Sequence, residues 1–139
     1  MNGTETAEAV NYRALAEFRF QIRKYLSFSE AAARKVGLEP QQHQLLLAIR
    51  GAVQGTEPTV GELASRLQIR HHSVVELIDR LESRQLVSRR RSEQDRRQVR
   101  IEVTPEGERI LDALSAQHRA ELETAGPALL EALRGLHDR

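Results

Sequence analysis

Residues 59–104 decide the fold: TVGELASRLQIRHHSVVELIDRLESRQLVSRRRSEQDRRQVRIEVT. Thr59 and Glu62 have the spacing of a capping box, in which each side chain bonds to the other residue's backbone at the start of a helix. This first helix is short and leads into the tight turn QIR. A second helix, from about His71 to Gln85, has apolar residues on its inner face and is expected to be basic on its outer face. Two short helices joined by a tight turn predict a helix-turn-helix.

After Leu86 the apolar residues recur at every second position, which is the period of a strand. LVSRRR and VRIEVT read as two paired strands, with Val99, Ile101 and Val103 on one face. The segment SEQDRRQ between them is too polar to be buried and forms the tip of a hairpin. A helix-turn-helix followed by a hairpin predicts a winged helix, with the hairpin as its wing.

Helices are predicted on both sides of this motif. One long helix spans about Ala7–Val36, and the segment QQHQLLLAIRGAV forms the next. On the other side, Thr104 and Pro105 are typical of a cap and a first helical residue, and they open a helix that reaches about Ala125. Gly126-Pro127 is predicted to break that helix before a last short one.

The sequence thus predicts a mainly α fold with a small β-hairpin wing. The winged helix-turn-helix DNA-binding domain takes residues 37–104. An N-terminal dimerisation helix in residues 1–36 and C-terminal dimerisation helices in residues 105–139 flank it. These outer helices are more apolar than their own packing needs, so their uncovered faces predict a second copy of the chain as a partner.

Positive charge is concentrated in one block of the chain. Ten arginines and five carboxylates lie between Arg66 and Arg100, whereas the whole chain has a net charge of +1. A codon bias toward arginine would explain the rarity of lysine but not this clustering. A planar guanidinium can grip a phosphate or a guanine edge. This local excess of positive charge therefore predicts a surface that attracts an anionic partner.

The composition excludes several classes of protein. With three Phe, two Tyr and no Trp in 139 residues, the core is expected to be aliphatic. The absence of Cys excludes disulfides, thiol-based redox sensing and Cys-ligated zinc, and the His residues lack metal-ligand spacing. There is no apolar run that could cross a membrane, no secretory signal and no catalytic motif. We expect a cytoplasmic protein that is not an enzyme and has no cofactor, metal or membrane partner.

From about Ala7 to Leu136 the sequence resembles the MarR family of bacterial transcription regulators. The resemblance is carried by the stretch quoted above and its continuation PEGERIL. Its strongest local match is the wing signature Asp95-Arg96-Arg97, followed by a strand and then TPEG. The resemblance implies that Asp95 braces the wing and that Arg97 enters the minor groove of DNA. Asp95 is expected to pair with an arginine and so fix the wing, and the alternative is an exposed aspartate in a turn.

The DNA contacts are expected in two groups. The N-terminal turn of the recognition helix enters the major groove in helix-turn-helix proteins, so it would contact bases or phosphates. The arginine-rich hairpin would reach phosphates and a minor groove, because so many like charges repel one another without an anion. The alternative for both groups is a solvated surface. The predicted set is Arg70, His71, His72, Ser73, Glu76, Arg80, Arg89, Arg91, Asp95, Arg96 and Arg97.

The recognition helix departs from the family's pattern at its start. Arg70 stands where the family often has a Ser or Thr cap, and His71 and His72 stand where a basic residue and proline are common. Glu76 occupies a position that is often polar or basic. A carboxylate there would repel phosphate, although it could accept a hydrogen bond from a cytosine amino group. The fold and DNA binding carry over, whereas the operator sequence does not.

All five aromatic residues lie between Tyr12 and Phe28. In the MarR family, small anionic aromatic effectors bind between the dimerisation helices and the winged helix, so these residues could line such a pocket. Packing within the dimer is the favoured alternative, because aromatic stripes at helical spacing are usually core. His43 and His118 could flank the same cleft, with structural or surface roles favoured. The candidate effector residues are Tyr12, Phe18, Arg19, Arg23, Tyr25 and His43.

We therefore predict a ligand-responsive repressor that binds double-stranded DNA as a homodimer. Its operator is expected to be pseudo-palindromic, with half-sites about 10 bp apart. One alternative is an architectural DNA binder that tolerates many sequences and has no effector. Another is a protein–protein module that reuses the winged helix.

Overall fold

The computed structural model describes residues 10–52, 58–91, 95, 97 and 99–137. Within them the chain forms α-helices and one antiparallel hairpin, so the predicted winged helix-turn-helix fold is confirmed. Helices α3 and α4 are the helix-turn-helix, and the β1–β2 hairpin is the wing. The elements are α1 Tyr12–Lys35, α2 Pro40–Arg50, α3 Val60–Leu67, α4 His71–Ser83, β1 Val87–Arg91, β2 Val99–Val103 and α5 Pro105–His137.

Helix α3 begins and ends as its sequence predicts. The Glu62 backbone N–H donates to Oγ1 of Thr59, and the Thr59 backbone N–H donates to Oε1 of Glu62, each over 3.1 Å. This reciprocal pair satisfies two donors at the helix start. Gln68 ends the helix with a φ of 56° and turns the chain toward α4.

Side chains of the fold's central part pack into an aliphatic core, as the composition predicts. The strands pair with Val87 opposite Val103 and Arg91 opposite Val99. Val87 of β1 and Ile101 of β2 are buried and belong to this core. The most deeply buried members of this core include Leu38, Leu45, Leu46, Leu63, Val74, Ile78, Leu81, Leu86, Val87 and Leu114. Burial of these apolar groups fixes α3 and α4 against α2 and the wing.

Thr104 joins the wing to α5. Its Oγ1 donates to the carbonyl of Gln85 over 2.7 Å and accepts from the Gly107 backbone N–H over 3.1 Å. Its own backbone N–H donates to the carbonyl of Leu86 over 3.0 Å. The predicted cap at Thr104 and the start of a helix at Pro105 are therefore confirmed.

The chain divides into two compact units. One comprises residues up to Ser29 together with those from His118 onward, and the other runs from Glu30 to Gln117. The helix-turn-helix and the wing lie in the second unit. The first unit holds most of α1 and the C-terminal half of α5. No described helix is both long and apolar enough to cross a bilayer.

The predicted break at Gly126-Pro127 is wrong, because α5 continues to His137 with Pro127 inside it. A proline ring clashes with the Cβ of the preceding residue, and Gly126 has none, which removes part of that clash. Ala125 and Ala132 are buried on either side of the proline. Their burial favours a continuous helix over the break that proline alone would cause.

Two helix ends also differ slightly from the sequence prediction. Helix α4 ends at Ser83 instead of Gln85, since Gln85 has a φ of 62° and leaves the helix. Helix α2 ends at Arg50, followed by Gly51. The predicted start of α1 at Ala7 lies outside the described residues.

Candidate nucleic-acid interface

Helix α4 presents a polar face to solvent. Its apolar side chains Val74, Leu77, Ile78 and Leu81 are buried. On the opposite side His72, Glu76, Asp79 and Arg80 are exposed. This is the division that a recognition helix requires, because one face holds it in the domain while the other can enter a groove.

The expected basic character of α4 is wrong. The helix holds one arginine, Arg80, against three carboxylates. The other nine arginines of the block between Arg66 and Arg100 lie outside the helix, before His71 or after Ser83. Any positive potential near the helix must therefore come from its flanks and from the wing.

The N-terminal turn of α4 is open to solvent. Arg70 takes the N-cap position with extended backbone and makes no side-chain cap hydrogen bond. His71 and His72 are exposed, and Ser73 is half-buried. The N-terminus of a helix carries a partial positive charge and unpaired backbone N–H groups, which favour an anion. The end of α4 expected to meet DNA is thus suited to a phosphate.

Arg89 ties the wing to α4. Its Nη2 lies 2.5 Å from Oδ1 of Asp79, and its Nη1 bonds to Oε1 of Glu82. The Arg89 backbone N–H also donates to Oε2 of Glu82 over 3.4 Å. Partial burial lowers the pKa of Arg89, but the two carboxylates more than offset this, so its pKa is raised. We call these three residues the Arg89 clamp.

The other two arginines of β1 are more exposed than Arg89. Arg90 lies 3.5 Å from Glu102 of β2, measured from Nε to Oε2, in an exposed ion pair. Arg91 is exposed at the end of the strand. Among the predicted contacts on β1, Arg91 is therefore exposed, whereas Arg89 is half-buried.

Asp95 holds Arg97 in the described part of the wing tip. The Arg97 backbone N–H donates to Oδ1 of Asp95 over 3.0 Å, and Nε of Arg97 lies 3.3 Å from the same oxygen. The predicted pairing of Asp95 with an arginine is therefore confirmed. The Arg97 side chain is 92% exposed even so. Arg96, also predicted to contact DNA, lies outside the described residues.

The candidate effector residues divide between the two units. On α1, Tyr12, Arg19 and Arg23 are exposed, and Phe18 and Tyr25 are half-buried. His43 of α2 is buried in the other unit. Burial raises the pKa of Tyr25.

His118 has a structural place in the first unit. It is buried, and its Nε2 lies 2.7 Å from Oγ of Ser29. Its ring packs edge-on against Tyr25 and Phe28, with centroids 5.9 and 5.4 Å away. These contacts fit the structural role favoured from the sequence.

Several residues that shape this interface were not singled out by sequence reasoning. Asp79 and Glu82 read as ordinary exposed carboxylates, although their spacing of three places them on neighbouring turns of α4. Arg84 donates from Nη1 to the carbonyl of Gly37 over 2.6 Å and fixes the end of α4. A positive φ of 81° at Gly37 turns that carbonyl, which a glycine permits.

Comparison with known proteins gives consistent matches to one family. The MarR family model matches residues 36–98. The uncharacterized HTH-type transcriptional regulator YsmB of Bacillus subtilis (strain 168) is 38% identical over 64 residues, which cover 46% of this chain and 44% of YsmB. The match therefore spans less than half the length of that curated relative.

Solved structures extend the likeness in fold over most of the chain. The complex of S. aureus MepR with DNA has a TM-score of 0.65 and 20% identity, covering 77% of this chain and 76% of MepR. CouR from Rhodococcus jostii RHA1 bound to p-coumaroyl-CoA has a TM-score of 0.64 and 24% identity, covering 80% of this chain and 82% of CouR.

Fold and interface together define a winged helix-turn-helix protein. The MarR family model matches α2, the helix-turn-helix and β1, which agrees with the resemblance seen in the sequence. The family and the matched proteins are transcription regulators and not enzymes.

Proposed function

We propose that this protein is a homodimeric transcription regulator that binds a pseudo-palindromic operator in double-stranded DNA. The observation that carries the proposal is the solvent-facing side of α4 beside a wing whose Arg97 is 92% exposed and braced by Asp95. A long arginine whose backbone N–H and Nε are held by Asp95 while its side chain stays exposed is suited to a narrow, negatively charged groove.

In this proposal α4 lies in the major groove. Its N-terminal turn meets the DNA backbone, and its outer face meets base edges. Arg97 enters the flanking minor groove, and Arg91 approaches a phosphate. Arg89 is left out of the contact set because the clamp engages it. The proposed contacts are Arg70, His71, His72, Ser73, Glu76, Arg80, Arg91 and Arg97, with Arg96 retained as a prediction from the sequence.

Exposed apolar side chains in the first unit support the dimer. They lie on both helices of that unit and are too numerous to be left to solvent in a stable monomer. A second copy of the chain would cover them by twofold symmetry. They are Tyr12, Leu15, Phe20 and Leu26 on α1 and Leu122, Leu130 and Leu133 on α5.

We further propose that the regulator is a repressor released by a small anionic aromatic effector. The support is the cluster of aromatic residues on α1 with Arg19 and Arg23 among them. An effector acts by binding the DNA-free arrangement more tightly than the DNA-bound one. A thermal-shift screen of aromatic acids, with and without DNA, tests this, because binding raises the melting temperature. An acid that stabilises the protein and weakens DNA binding is the expected result.

DNA binding is tested by selecting sites from a random duplex library and measuring affinity against salt concentration. We expect one enriched pseudo-palindrome with half-sites about 10 bp apart. R97A should weaken binding and flatten the salt slope by about one. R119A removes an exposed arginine of α5 and is the matched control, which should leave the slope unchanged.

Three outcomes would contradict the proposal. Equal competition by bulk DNA would indicate the architectural alternative. Loss of binding in R119A but not in R97A would move the interface away from the wing. A monomer by light scattering at working concentration would overturn the dimer.

A further inference from the structure

We propose that Glu76 selects cytosine at one position of each half-site by accepting a hydrogen bond from the cytosine N4 amino group in the major groove. The inference rests on the proposed function, because it requires α4 to enter that groove. It assigns a specificity-determining residue to this chain at a position where the sequence departs from its family's pattern.

Glu76 lies where base edges would be read. It is exposed on the side of α4 opposite the buried Val74 and Ile78. His72, one turn earlier, and Arg80, one turn later, are exposed on the same side, because residues four apart share a helix face. Glu76 is thus in the middle of the outer face and away from both ends of the helix.

The structure separates Glu76 from the other two carboxylates of α4. Asp79 and Glu82 are both bonded to Arg89, so one guanidinium offsets part of their combined charge within the domain. Glu76 makes no ion pair with any described residue, even with Arg80 at the favourable spacing of four. When α4 enters the groove, the Glu76 carboxylate must therefore accept a hydrogen bond from the DNA. Without such a donor its charge would repel the phosphates and weaken binding.

The chemistry of the groove leaves few partners for a carboxylate. Ionised Glu only accepts hydrogen bonds, and phosphates, guanine O6 and N7, and thymine O4 are also acceptors. The amino groups of cytosine and adenine are the donors on the major-groove edge. On the major-groove edge of a base pair, the adenine amino group lies between two acceptors, its own N7 and thymine O4, whereas the cytosine N4 has an acceptor, guanine O6, on one side only. Cytosine is therefore the base that a lone carboxylate favours.

The test compares site selection from a random duplex library by the full-length wild type, E76Q and E30Q. We expect the wild type to enrich cytosine at one symmetry-related pair of positions. E76Q should lose that preference or move it to adenine, because Gln can pair with adenine N6 and N7. The remaining positions should stay unchanged. E30Q removes an exposed carboxylate of α1, outside the helix-turn-helix and the wing, and should select the wild-type motif.

Affinities for single-position variants of the selected site give the magnitude. The wild type should bind the cytosine site about tenfold or more tightly than the other three, and E76Q should reduce that ratio to near one. Thermal melts of both variants establish that they fold.

The outcomes separate this inference from the proposed function. If E76Q keeps the cytosine preference, Glu76 does not read that base. If E76Q tightens binding to every sequence equally, Glu76 only repels DNA and selects no base. If the wild type enriches no motif at all, the proposed function fails and this inference fails with it. A changed preference in E30Q would also overturn the assignment.

Discussion

Gly107 in the first turn of α5 lies directly against the carbonyl of Leu86 at the start of the wing. A Cβ at position 107 would lie 2.3 Å from that oxygen and 2.8 Å from Cγ1 of Val103. Neither distance is tolerable, and the oxygen belongs to the backbone, so only a glycine allows α5 to approach the wing this closely.

G107A should therefore lower the free energy of unfolding by about 1–3 kcal/mol, because α5 or the wing must shift to relieve the overlap. G61A is the matched control, since a Cβ there would lie 3.8 Å from Oγ1 of Thr59. It should raise stability by up to about 1 kcal/mol, because alanine is the better helix former. Urea denaturation measures both, and a G107A as stable as the wild type would contradict this packing.

R89Q should weaken DNA binding although Arg89 is not a proposed contact. The substitution exposes the charges of Asp79 and Glu82 on the DNA-facing helix and costs about 1 kcal/mol of stability. Adding D79N and E82Q to R89Q should restore binding, because the uncompensated charges are then removed. R109Q breaks an exposed ion pair with Glu106 and is the control, expected to leave DNA affinity unchanged. Full affinity in R89Q, measured by fluorescence anisotropy, would rule out charge compensation.

D95A should also weaken DNA binding, by releasing the backbone and side chain of Arg97. The sign of this effect is informative. Removing a negative charge near DNA would strengthen binding by Coulomb attraction alone, so weaker binding identifies the brace. D112A removes an exposed carboxylate of α5 and should not weaken affinity. Unchanged or tighter binding by D95A would mean that Asp95 does not position Arg97.

S29A should lower the free energy of unfolding by about 1 kcal/mol, because it removes a buried hydrogen bond to His118. S27A changes an exposed serine of the same helix and should alter stability by less than about 0.5 kcal/mol. Denaturation at fixed protein concentration compares the two. Equal effects of the two substitutions would show that the contact with His118 contributes no stability.

The parts of the fold predicted correctly are those with local signals. The Thr59–Glu62 capping box, the change of period after Leu86 and the cap at Thr104 each depend on residues within a few positions of one another. Such patterns are readable in one sequence because the bonds they predict join near neighbours. The pairing of Asp95 with Arg97 belongs to the same class.

The errors arose where distant residues decide the outcome. Proline is a strong local signal against a helix, yet burial of Ala125 and Ala132 keeps α5 continuous through Pro127. The sequence predicts a basic recognition helix because ten arginines lie between Arg66 and Arg100, but the sequence does not show which elements carry them. The partners of Arg89 lie seven and ten residues away on another element, and a count of charges does not reveal that pairing.

The Arg89 clamp also limits how a signal can act on the DNA-reading surface. Bending the hairpin away from α4 would break bonds to two carboxylates at once, so the two elements resist being parted. In the proposed ligand-responsive dimer, an effector that releases DNA would therefore displace the hairpin and α4 together as one rigid piece. A change in the spacing between the two subunits would then be easier to achieve than a change of shape within one subunit.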